Sequence, residues 1–133
     1  LAIESTNYLI FLDALLVHFA TMDRFGEIRY GVFERSLIES ALARPRHAAV
    51  YENADIIRQA ATLCFGLIKN HPWTGGNKRI ATAIAESFLA INGWQLSYSD
   101  QEIIELSLAI ESNRYGVDQI EDWYRQHATP KPS

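Results

Sequence analysis

Cysteine is nearly absent from this chain. Cys64 is the single one in 133 residues, which excludes an internal disulfide and a multi-cysteine zinc site. It lies in the apolar run Ala60–Ile68 and reads as a small buried hydrophobe. Three of the four histidines, His18, His47 and His127, are scattered without metal-ligand spacing, so no metal site is assigned to them. No stretch approaches the roughly 18 consecutive apolar residues of a membrane span. A basic N-terminal region with a cleavage pattern is also missing, so a reducing, cytoplasmic location is expected. Basic charge is not in surplus either, with 12 basic and 16 acidic residues and a net charge of −4. That balance argues against direct nucleic-acid binding, which calls for a basic patch. The local set Arg24, Arg29, Arg35, Arg44 and Arg46 reads as solvated charge or as a surface for an acidic partner. Sustained alternation, internal repeats, low-complexity tracts and linkers are absent as well.

What remains is helical periodicity in a chain that is 48% hydrophobic, enough for one core in one domain spanning 1–133. Leu9, Leu12, Leu16, Phe19 and Met22 recur at three- and four-residue spacing and predict a helix over 8–25 with that face buried. Ser5 or Thr6 would cap it. A shorter helix is expected over 33–43, ending before Pro45, because a proline disfavours helix at the residue preceding it. The segment Pro45–Tyr51 reads as extended. Asn53 is an N-cap candidate for a helix running to Asn70, with Ile56, Ala60, Leu63 and Leu67 buried. A helix over 77–91, rich in small residues at Ala81, Ala83, Ala85 and Ala90, is expected at the centre. Ser99 and Glu102 have the spacing of a capping box opening a helix to about Glu111. A last helix should run from Val117 or Asp118 to about His127, with a frayed tail over 129–133. Tyr115, Trp123 and Tyr124 near that end suit either ordinary packing or a partner-binding surface. The expected class is all-α.

One stretch carries chemistry: His71-Pro72-Trp73-Thr74-Gly75-Gly76-Asn77-Lys78-Arg79. It joins the end of one helix to the start of the next. The first amides of a helix have no intrahelical partners, and the helix dipole places partial positive charge there. Gly75 and Gly76 allow the backbone to approach a ligand, and Asn77, Lys78 and Arg79 add donors and two positive charges. Basic residues in a first turn oppose the dipole unless an anion offsets them, so the construction suits a phosphate chain. His71, six residues before Asn77, is the side chain suited to accept a proton from a hydroxyl beside that anion. Trp73 reads as an apolar anchor for the loop.

These nine residues resemble the Fic/Doc signature H-P-F-x-[D/E]-G-N-[G/K]-R. The Asn77-Lys78-Arg79 ending is similar to the Doc (death-on-curing) branch. The resemblance extends to residues 38–45, Tyr51-Glu52, Phe88-Leu89 and Asn92-Gly93. It implies a six-helix Fic fold and a toxin paired with a cognate antitoxin. Such toxins pass the terminal phosphate of ATP to a threonine of the translation elongation factor Tu. Carried over by position, His71 is the general base. Gly75, Gly76 and Asn77 meet the phosphates, and Lys78 and Arg79 neutralise the transferring group. Arg46, His47, Ala48, Ala49, Val50 and Tyr51 correspond to the flap that docks the target as an added strand. The family's Mg²⁺-holding acid falls at Gly75, which offers no carboxylate, so Mg²⁺ is expected to arrive with ATP and to be weakly held. Attenuated activity follows as an expectation. Two alternatives stay open: nucleotidyl (AMP) transfer, against which Lys78 argues, and an antitoxin-binding or co-repressor module with little turnover.

Overall fold

The computed structural model describes residues 5–24, 34–70 and 78–132. Among them are six helices: α1 (Phe11–Arg24), α2 (Arg35–Glu52), α3 (Ile56–Asn70), α4 (Lys78–Ile91), α5 (Asp100–Glu111) and α6 (Val117–His127). Two short strands, β1 (Trp94–Leu96) and β2 (Ala128–Pro130), pair antiparallel, with Gln95 opposite Thr129. The expected all-α class therefore holds, with a three-residue ribbon at one corner. No helix among the described residues is long and apolar enough to cross a membrane.

The centre is shared by α3 and α4. Around α3, Ile57, Ala60, Ala61, Leu63, Cys64, Leu67 and Ile68 are all buried, and α2, α4, α5 and α6 pack against it. Being buried all round, α3 also carries polar side chains inward, and each is satisfied. Gln59 accepts from the Tyr8 hydroxyl at 2.9 Å and donates to the Ala54 carbonyl at 2.9 Å, and Thr62 donates to the Gln59 carbonyl at 2.7 Å. Gly66 lies tightly against α2. A Cβ there would stand 2.6 Å from Arg44 Cδ and 3.3 Å from Ala41 Cβ. Helix α4 buries one face, Ile80, Ala81, Ile84, Ala85, Phe88 and Leu89, against α1 and α3.

Local sequence signals set several boundaries. Ser99 Oγ accepts from the Glu102 amide at 3.1 Å while Glu102 Oε1 accepts from the Ser99 amide at 2.9 Å, which is the expected capping box. Helix α6 runs over the predicted span. Tyr124 is buried and Trp123 packs on Tyr98 and His127, so this aromatic end belongs to the core.

Four expectations are corrected. First, α2 continues through Pro45 to Glu52. Its buried residues Ile38, Ala41, Leu42, Pro45, Ala48 and Ala49 keep a helical stripe straight across the proline. A proline inside a helix costs about 3 kcal/mol. Burying Ile38 and Leu42 returns about 1.5–3 kcal/mol each, enough to offset it. Second, Asn53 ends α2 rather than starting α3. It sits in the left-handed region at φ 52° with its amide on the Ala48 carbonyl. Asp55 caps α3 instead, its Oδ1 accepting from the Arg58 amide at 2.9 Å. Third, α1 begins at Phe11 and buries Ala14, His18 and Met22, leaving Leu12, Leu16 and Phe19 exposed. Its first turn is fixed by Asp13, which accepts from the Ile10 amide at 2.8 Å. The helix is apolar around most of its circumference, so the pattern alone does not select the buried face. Fourth, the tail is not frayed over 129–131, because β2 pairs with β1 and the Lys131 amide donates to the Gly93 carbonyl at 2.9 Å.

Candidate functional site

Of the signature residues, His71, Pro72, Trp73, Thr74, Gly75, Gly76 and Asn77 lie outside the described residues. Lys78 and Arg79 open α4, and this first turn holds no acidic side chain. Two positive charges therefore sit at the positive end of the helix dipole, where the first backbone amides have no intrahelical partner. Behind them Ile80 and Ala81 are buried, so the start of α4 is seated in the core rather than projecting from it.

The flanks of segment 71–77 are anchored on three sides. Asn70, the last residue of α3, donates from Nδ2 to the Leu37 carbonyl of α2 at 3.0 Å. Lys69 Nζ donates to Asn113 Oδ1, beyond the end of α5. Lys78 Nζ pairs with Glu111 Oε2 at 2.6 Å, and both side chains remain partly exposed, at 34% and 40%. Arg79 is exposed, and its carbonyl accepts from Thr82 Oγ1 at 3.1 Å. The anchors Lys69, Glu111 and Asn113 escape a reading of the motif alone, since they are distant in sequence and belong to no local pattern. The weak signal was Asn113-Arg114 after a periodic run, where a helix must end.

The expected extended conformation of the flap residues is corrected here. Arg46, His47, Ala48, Ala49, Val50 and Tyr51 are helical, so they present no extended edge for an added strand. Ala48 and Ala49 are buried, while Arg46 lies 4.7 Å over the Tyr8 ring. His47 meets Tyr51 edge-on at 6.2 Å. They also stand away from Asn70 at the end of α3. Leu37 of α2 is beside Asn70, so the antiparallel α2–α3 pair places Ala49 about twelve α3 residues away from it, about 18 Å at 1.5 Å per residue.

Other candidates resolve into structure. Burial pushes the Cys64 thiol up to about 11, so it is a buried thiol and not a nucleophile. Arg35 pairs with Glu39 at 3.1 Å and covers Phe11 at 4.4 Å, and Arg44 lies 5.6 Å from the Phe65 ring. Arg29 lies outside the described residues. A cleft of about 460 Å³ between α1 and α2 is lined by Ile10, Phe11, Leu12, Leu15, Arg35 and Glu39, apolar apart from an ion pair. No group of three or more metal-binding side chains occurs among the described residues.

Comparison with known proteins bears on this geometry. The family model described as "Fic/DOC family" matches residues 8–89. The protein named Toxin Doc of Mycolicibacterium smegmatis is 42% identical over 79 residues, covering 54% of this chain and 60% of that protein. The chain thus spans about three-fifths of the length of this relative.

Proposed function

Because the chain belongs to the Fic/DOC family, we propose that it is a Doc-like toxin of a toxin–antitoxin pair that transfers the terminal phosphate of ATP to a threonine hydroxyl, with elongation factor Tu as its target. The observation that carries the reading is the first turn of α4. It presents Lys78 and Arg79, the last two residues of the signature, at the positive end of a helix whose own first turn holds no acid. The family match spans this turn.

In this mechanism His71 takes the proton of the threonine hydroxyl as its oxygen attacks the γ-phosphorus. The bond from that phosphorus to the β,γ-bridging oxygen breaks, and ADP leaves with the electron pair. Lys78 and Arg79 neutralise the charge on the transferring group, the dominant contribution where positioning and electrostatics do most of the catalysis. Gly75, Gly76 and Asn77 would bind phosphate oxygens. Mg²⁺ chemistry fits this chain poorly. Position 75 supplies no carboxylate, and the described residues hold no group of three or more metal-binding side chains. Any Mg²⁺ would come with ATP, and no step here depends on protein ligation of it. The same deficit favours a second reading, a module that binds its antitoxin with little turnover.

The test is transfer from ATP labelled at the γ- or the α-phosphate to elongation factor Tu, with His71→Ala and Gly75→Asp beside the wild type. Label from the γ position that vanishes in His71→Ala is expected, with more in Gly75→Asp. Label from the α position would establish nucleotidyl transfer instead. Incorporation that survives His71→Ala would refute the mechanism, and two inert proteins that bind an antitoxin tightly would establish the binding module.

A further inference from the structure

The end of α5 touches both flanks of the signature segment. Glu111, the last residue of α5, pairs with Lys78 at the first position of α4 at 2.6 Å. Two residues later Asn113 accepts from Lys69, one residue before the end of α3. Asn113 has φ 65°, a left-handed conformation that asparagine tolerates better than most side-chain-bearing residues. The position thus combines an unusual backbone state with an amide oxygen aimed at the α3 flank. The corner itself is firmly built. The Arg114 and Tyr115 amides both donate to the Ala109 carbonyl, at 2.9 and 3.0 Å, and the Ser112 amide donates to Leu108 at 3.0 Å. Just beyond it, α6 is tied to α3 by Arg58, which meets Asp118 at 2.6 Å and Glu121 at 3.1 Å.

We propose that the corner Glu111–Asn113 is a clamp that fixes both flanks of segment 71–77, and that Glu111 is the positioning residue for Lys78. The second half rests on the reading that Lys78 meets nucleotide phosphates. A lysine side chain loses considerable rotamer freedom when held in one place, and Lys78 has Arg79 and the helix dipole to repel it. Glu111 supplies the opposing charge that holds it at the mouth of the site. Its effect on catalysis then has a characteristic split. A carboxylate beside a phosphate site does not help a polyanion to bind, so removing it does not raise KM for ATP. What is lost is the alignment of Lys78 with the transferring phosphoryl group, and that loss appears in kcat.

Glu111→Gln, Glu111→Asp and Asn113→Gly in the full chain test this. Asn113→Gly keeps the left-handed turn and removes the side chain whose amide oxygen meets Lys69. Amide hydrogen exchange, which needs no turnover, should speed several-fold at residues 67–70 and 82–84 in Glu111→Gln and Asn113→Gly. Exchange in α6 at residues 120–124 should keep its wild-type rate. With Mg-ATP and the hydroxyl substrate, Glu111→Gln should lower kcat on the order of 10-fold without raising KM. That is a fraction of the roughly 10²-fold that a 1 Å misplacement can cost. Glu111→Asp should recover part of it. Unchanged exchange at the flanks overturns the clamp. An unchanged kcat, or a raised KM with kcat intact, overturns the positioning role. A wild type that transfers nothing from ATP removes the proposed function and the positioning role with it, while the exchange measurement still decides the clamp.

Discussion

Replacing His47 by alanine and, separately, by glycine reads the backbone state of residues 46–51. His47 is exposed on α2, and its edge-on contact with Tyr51 is lost equally in both variants, so the comparison isolates the backbone. Inside a helix, glycine is about 1 kcal/mol less favourable than alanine. For 133 residues the unfolding entropy at about 2.1 cal/mol/K per residue is about 0.28 kcal/mol/K, so that difference lowers Tm by about 3.5 °C. Thermal melts followed by far-UV circular dichroism measure it. Alanine and glycine variants melting within about 1 °C of each other would refute a helical 46–51 and restore an extended flap. Pro45→Ala probes the same helix from its weak point. About 3 kcal/mol of helix penalty is relieved. Against this stand about 1.6 kcal/mol for two buried methylenes and about 0.4–1 kcal/mol of unfolded-state entropy. The expected net change is within about 1 kcal/mol of zero, and a loss above about 2 kcal/mol would contradict the helix.

Three further outcomes are expected. Ser99→Ala removes the side-chain cap of α5 and should cost about 1 kcal/mol, read from urea midpoints at unchanged m-value. The His127–Glu102 pair, 2.8 Å apart, should make stability depend on pH. Burial lowers the His127 pKa, but the Glu102 carboxylate and the Trp123 carbonyl outweigh it and the net shift is upward from 6.5. Glu102 is lowered from 4.5 to about 2 by His127 and by Ser99. The histidine contribution is therefore full below its unfolded value of 6.5 and lost as pH rises through the raised folded value. The glutamate contribution is full above 4.5 and lost as pH falls toward about 2. The Tm gap between wild type and Glu102→Gln should be widest from about pH 4.5 to 6.5 and narrow on the alkaline side, and a gap constant from about pH 5 to pH 9 contradicts this. Cys64, buried and with its thiol pushed up to about 11, should react with a thiol reagent only at the rate of unfolding, and rapid labelling of the native protein would show the core to be open there.

Legibility followed the range of the interactions involved. The Ser99–Glu102 box and the span of α6 are written in residues three or four apart, and both are found where local pattern puts them. Pro45 shows a local rule yielding to packing. The proline signals a stop, yet the stripe Ile38, Ala41, Leu42, Ala48, Ala49 was already periodic across it and decides the outcome. In α1 the pattern was ambiguous because leucines and phenylalanines surround the helix, and only its neighbours select Ala14, His18 and Met22 as the buried face. Asn53 could cap either of two adjoining helices, and its left-handed backbone assigns it to the end of α2. At the candidate site, the basic first turn of α4 was legible as a motif. Its partners were not, because Lys69–Asn113 and Lys78–Glu111 join residues more than thirty positions apart, with no spacing rule between them.

The β1–β2 ribbon gives the protein a practical handle. It fastens residues 128–130 beside the far end of α4, with Lys131 on Gly93, whereas Lys78 opens the near end. The fourteen residues of α4 put about 20 Å between the two. A fluorophore or affinity group attached at position 132 would therefore report on the molecule from a point remote from the first turn of α4. Donor–acceptor distance from there to a labelled nucleotide would provide a ruler, laid along a single rigid helix, for locating where the phosphates settle.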